Sequence, residues 1–205
     1  MRHIDVGEPP ACLSSWTFKR HEWKDFSGTP CHKQTREALQ ALQECHCAYC
    51  ERLLGEGSNV HIEHRIPKDF KTRLTFDWAN LLAACGSNKH CGHAKGGNRT
   101  PILDPRKHDP SMILVLRPST GELRVREDGI CVSCQELGAQ TIDVLKLNHN
   151  SLKNQRHNSY IIWEEWLYGD DWHVVLHQDF GTLLAAASRK RLKGAFATGC
   201  PGCGR

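Results

Sequence analysis

An α+β fold held around a metal is predicted by three features of this 205-residue sequence. Cys47, Cys50, Cys85 and Cys91 are spaced as a closed four-sulfur set, the arrangement zinc takes in structural sites. Two short β-prone runs, 60–66 and 81–84, lie between the paired cysteines. Helical patterns flank this centre, at 32–44 before it and at 141–147, 151–168 and 179–196 after it.

The chain begins with an irregular arm over 1–31, whose rings Trp16, Phe18, Trp23 and Phe26 read as core anchors. Thr29-Pro30 makes a turn, and Ala38, Leu39, Ala41 and Leu42 then share one side of a helix. Cys47 and Cys50 form a knuckle, followed by a loop over 55–59. In the run 60–66, alternation puts His61 and Glu63 on one face and His64 on the other, before Pro67 ends the strand. The loop 68–77 carries Lys68, Lys71 and Arg73, for which phosphate contact and plain solvation are equally open. A brief helix is expected from His90 or Cys91 to just before Gly96-Gly97.

Runs 113–116 and 122–127 around 118–121 predict a hairpin. In 151–168, Leu152, Ile162 and Trp166 form an apolar stripe, with Ser151 as candidate cap. The last helix ends in Arg189, Lys190, Arg191 and Lys193, a charge run read as a solvated face. No internal repeat or low-complexity tract appears.

A net charge of +4 and a pI near 8.5 permit a nucleic-acid partner without requiring one. Eleven cysteines would suggest disulfides in a secreted chain, yet residues 1–10 lack the apolar core of a signal peptide and no run approaches a membrane span. An intracellular, reducing compartment with no membrane partner is therefore expected, where paired cysteines read as metal sites. Cys131, Cys134, Cys200 and Cys203 make either a second zinc site or four thiols, the thiols being favoured. Cys12, Cys31 and Cys45 are expected as unpaired thiols.

Within the cysteine frame sit Glu63, His64, Asn80 and His93, an oxygen/nitrogen set suited to a harder ion and a proton acceptor. A structural zinc has no use for them. Cys47-x-x-Cys50, Glu63-His64 with Pro67, Asn80 before Leu81-Leu82, and Cys91 with His93 and Lys95 resemble the motif of the HNH endonucleases. The phrases Cys-Ala-Tyr-Cys-Glu, Ile-Glu-His-Arg-Ile-Pro-Lys, Trp-Ala-Asn-Leu-Leu and Ile-Leu-Asp-Pro are similar to the PtuB family, the HNH subunits of Septu and retron-associated anti-phage systems. The dense part of the likeness covers about residues 45 to 110.

The resemblance implies a zinc-stapled ββα-metal core over 47–110, after an arm and helix at 1–46 and before a hairpin and helical region at 111–205. It implies that His64 is the general base, suited by an ordinary pKa near 6.5. Glu63 would hold Mg²⁺ or Mn²⁺, Asn80 would tie the loop and orient His64, and His93 would be the second ligand. Most HNH proteins place that ligand directly after the final cysteine, where this chain has Gly92, so His90 competes with His93. Lys95, at its usual distance from Cys91, favours His93. DNA hydrolysis in the bacterial cytoplasm is implied, beside a PtuA-like ATPase of the ABC/SMC type and, in some systems, a retron reverse transcriptase with its msDNA. RNA such as tRNA as substrate, or a non-enzymatic zinc module, are the alternative readings. The module would have no use for Glu63, His64 and Asn80 together.

Overall fold

A computed structural model describes residues 1–55 and 59–188 of the chain. In order, the elements are α1 (Trp23–Phe26), α2 (Pro30–Leu42), β1 (Val60–His64), β2 (Leu81–Cys85), α3 (Cys91–Lys95), α4 (Pro110–Ile113), β3 (Leu114–Arg117), β4 (Glu122–Val125), α5 (Val132–Val144), α6 (Asn150–Tyr168) and α7 (Gly181–Ala187). Mixed helices and two small sheets make an α+β fold.

The central hairpin pairs β1 with β2 antiparallel, with Glu63 opposite Leu82 and His64 opposite Leu81. β2 is buried along Leu81–Ala84, so its outer edge needs partners other than water. Gln43, at the end of α2, supplies them. Its amide donates to the Ala83 carbonyl (2.9 Å) and accepts from the Ala83 N–H (2.8 Å). α2 itself starts where Thr29 accepts from the His32 N–H (3.1 Å), with Pro30 at the first helical position. Its buried side, Cys31, Thr35 and Leu39, faces the core.

β3 and β4 form the second hairpin, with Leu116 opposite Leu123. α5 begins at Val132, nine residues before the expected start at 141. Gly138 within it gives close approach: an added Cβ would lie 2.9 Å from Ile113 and 3.2 Å from Val125. α6 also departs from its expected stripe. Leu152, Arg156 and Leu167 are its buried residues, whereas Ile162 (67% exposed) and Trp166 (45% exposed) face outward. The guanidinium of Arg156 replaces them in the core because it finds carbonyl acceptors at Leu147 (2.7 Å) and Gly121 (3.2 Å) and lies over the Phe180 ring. The cap is His149, whose ring accepts from the Ser151 N–H, so Ser151 is the capped residue rather than the cap.

One expectation about cysteines changes. Cys12 and Cys31 form a disulfide that ties the arm to the first turn of α2, so only Cys45 of that trio remains a thiol. A pair 19 residues apart carries no spacing signal in the sequence. The Cys131 and Cys134 sulfurs lie 3.1 Å apart, and Cys200 and Cys203 fall outside the described residues, as does the basic run 189–193. No helix among the described residues is long and apolar enough to cross a membrane.

Candidate active site

The four-cysteine set is brought together from three directions. Cys47 and Cys50 come from the turn after α2, Cys85 from the end of β2, and Cys91 from the start of α3 with φ of 64°. Their sulfurs all lie within 4.8 Å of one another, and the Cys47–Cys91 and Cys50–Cys85 separations are each 3.9 Å. A tetrahedral zinc with bonds of about 2.3 Å has sulfur–sulfur edges of about 3.8 Å, so the cluster fits a metal such as zinc. Burial pushes the Cys50 and Cys91 thiols well up, while hydrogen bonds from Cys47 and the other sulfurs pull Cys85 down. Binding a metal therefore expels protons, and acid opposes it. His90 is buried against this cluster, with Nδ1 3.1 Å from Cys91 Sγ and 3.9 Å from Cys85 Sγ.

A cleft of about 300 Å³ opens beside the clamp, lined among others by Trp23, His61, Glu63, His64, Lys68 and His93. Glu63 is 7% exposed and its two oxygens have different neighbours. Oε1 meets the Lys95 ammonium (2.8 Å) and accepts from the Tyr49 hydroxyl (3.3 Å). Oε2 faces His61 Nε2 at 3.3 Å. Burial alone would raise this carboxyl, but the His61 hydrogen bond and the Lys95 charge outweigh it and hold the pKa below the usual value. Lys95 also donates to the His64 carbonyl (2.9 Å), tying α3 to the strand that carries both the acid and the imidazole.

His64 is buried, and burial lowers its pKa, against the Thr75 hydrogen bond and the Glu63 charge. Its Nε2 lies 2.9 Å from the Thr75 carbonyl. A carbonyl only accepts, so Nε2 carries the proton and Nδ1 is left as the basic nitrogen. The Trp23 ring packs edge-on against the imidazole, centroids 4.3 Å apart. Asn80 ties down the loop: its side chain accepts from the Ile66 N–H (2.8 Å) and donates to the carbonyls of Ile66 (3.0 Å) and Leu74 (3.2 Å). It makes no bond to the imidazole. The hydrogen bond that orients His64 comes from Thr75, the neighbour of a carbonyl that Asn80 holds.

α3 brings His93 to the cleft, its ring 4.4 Å from that of His61. Thus the two competing histidines are separated, His93 beside His61 in the cleft that Glu63 also lines and His90 beside the sulfurs. Glu63 Oε2 with His61 and His93 is a mixed oxygen/nitrogen donor set of the kind that holds divalent cations. Among the described residues, only the four cysteines bring three or more such donor atoms within 4.8 Å of one another. Gly92 closes the floor: a Cβ there would sit 2.5 Å from Glu63 Oε2 and 2.7 Å from His61 Nε2. Gly92→Ala should therefore displace the Glu63–His61 pair; a divalent cation such as Mn²⁺ held there would bind about 10-fold or more weakly, while a metal on the four cysteines would be retained. Titration of Mn²⁺ into zinc-loaded protein measures this.

Sequence reasoning missed His61, Trp23, Thr75 and the ion pair of Lys95. Only His61 left a signal, its place on the same strand face as Glu63.

No family model matches the sequence. The chain is 33% identical over 116 residues to the Septu protein PtuB of Bacillus thuringiensis, a stretch that covers 54% of this chain and 40% of that protein. It resembles PtuB and spans less than half of that relative's length.

Proposed function

We propose that this chain is a divalent-metal-dependent HNH endonuclease, with a ββα-metal core over 47–110, acting on DNA as the effector of an anti-phage defence complex. The observation that carries the reading is His64, with Nε2–H on the Thr75 carbonyl and Nδ1 unprotonated, in the same cleft as an ionised Glu63. The likeness to a Septu protein supports the defence setting. In this reading Nδ1 of His64 takes a proton from water as its oxygen attacks phosphorus, and the bond to the leaving deoxyribose oxygen breaks. Glu63 and His93 would hold a divalent cation, which would supply electrostatic stabilisation of the charge that develops on the phosphate and leaving oxygen. Lys95 keeps Glu63 ionised in its buried position, Asn80 keeps the loop that carries Thr75 in register, and Lys68 at the cleft wall meets the substrate backbone. Cys47, Cys50, Cys85 and Cys91 would hold zinc, which would tie the hairpin to α3.

The chain has no Gly-x4-Gly-Lys-Ser/Thr phosphate loop, so nucleotide-driven control would come from a separate ATPase of the PtuA type. Exposed Ile161, Ile162, Trp166 and Tyr168 on α6 support a contact surface for that partner. The test is to purify the protein with its partner subunit and assay plasmid, single-stranded DNA and total RNA side by side. Cleavage of DNA is expected; cleavage of RNA alone moves the substrate to RNA.

The state of His64 also fixes the pH profile. Its pKa lies below the ordinary histidine value, so the imidazole stays neutral through neutral pH and is lost as a base only when protonated in acid. At saturating Mn²⁺, kcat/KM should hold from about pH 8 to about 6.5 and fall only below that. An acid limb already falling above pH 7 contradicts the assignment.

A further inference from the structure

We infer that His61 is a ligand, with Glu63, for the divalent cation of this cleft. The inference rests on the endonuclease reading and adds a residue to it. His61 lies two residues before Glu63 on β1, so both side chains leave the same face of the strand. Lys95 and Tyr49 occupy Oε1 of Glu63, which leaves Oε2 as the oxygen open to a cation. His61 Nε2 stands 3.3 Å from that oxygen, and both atoms converge over Gly92, where the lack of a side chain keeps the space open. Nδ1 of His61 is buried and makes no hydrogen bond to the protein. The ring of His93 flanks that of His61, with 4.4 Å between centroids, and lines the same cleft. Nitrogen donors shift preference from Mg²⁺ toward later divalent metals, so Mn²⁺ should bind more tightly than Mg²⁺.

The competing role is that His61 merely donates to Glu63 as a structural partner. The two roles differ in sign. A ligand's removal weakens cation binding, whereas removal of a competing donor frees Oε2 and leaves binding unchanged or stronger. The test measures Mn²⁺ affinity of zinc-loaded full-length protein by electron paramagnetic resonance titration, for wild type, His61→Ala and Glu63→Gln. A loss of about 10- to 100-fold in His61→Ala, with zinc content and melting temperature unchanged, is the expected result. His61→Asn gives the same loss if the alanine variant folds poorly. Mn²⁺ affinity in His61→Ala equal to or above wild type overturns the assignment, as does a Glu63→Gln protein that binds Mn²⁺ like wild type. Cleavage is not the readout, so the endonuclease reading is tested separately, through His64.

Discussion

Cys50→Ser is expected to lose the folded protein, not only its metal. The four sulfurs sit where the turn after α2, the end of β2 and the start of α3 meet, so one metal there would fix all three segments at once. Structural zinc supplies about 10–16 kcal/mol of folding free energy, as much as or more than the about 5–15 kcal/mol by which a whole domain is stable. Ser offers a poorer ligand and leaves a buried hydroxyl among three thiols. Wild-type protein should hold at least one zinc per chain by elemental analysis and melt cooperatively. The variant should show substoichiometric zinc and no cooperative melt, and a strong chelator should do the same to wild type. A zinc-free chain that melts like wild type rules out the clamp.

His64→Ala should reduce cleavage by about 10²- to 10⁴-fold, the usual worth of a general base. The same change should leave zinc content and partner binding at wild-type levels, because His64 contacts Thr75 and Trp23 and none of the four cysteines. Loss of the buried ring leaves a space beside Trp23, so a modest fall in melting temperature is expected. Glu63→Gln should also inactivate, by a different route: cation affinity falls, and raised Mn²⁺ restores part of the rate. Raised Mn²⁺ should restore nothing to His64→Ala.

The centre of this molecule was legible because its signals are local. Strand alternation, the stop at Pro67 and the cysteine spacing place β1, β2 and α3 to within two residues, and they put His61 and Glu63 on one face. What escaped is non-local or silent in sequence. Trp23 lies 41 positions from His64, and nothing periodic in the arm marks it as the ring that packs there. Thr75 acts through its backbone carbonyl, which every residue has. The Cys12–Cys31 disulfide joins residues with no motif spacing. Arg156 reads as a surface charge on α6 until the carbonyls of Leu147 and Gly121 are seen to surround it, and its burial turns Ile162 and Trp166 outward. His61 sat in view beside Glu63, but the HNH motif assigns that position no role.

The central claim is that the imidazole of His64 removes the proton from the attacking water. Its most direct test is the cleavage rate of zinc-replete His64→Gly protein, in complex with its partner, as free imidazole is added at fixed Mn²⁺. The expected rate is near zero without imidazole and rises with the concentration of the unprotonated form. A rate equal to wild type with no imidazole present contradicts it.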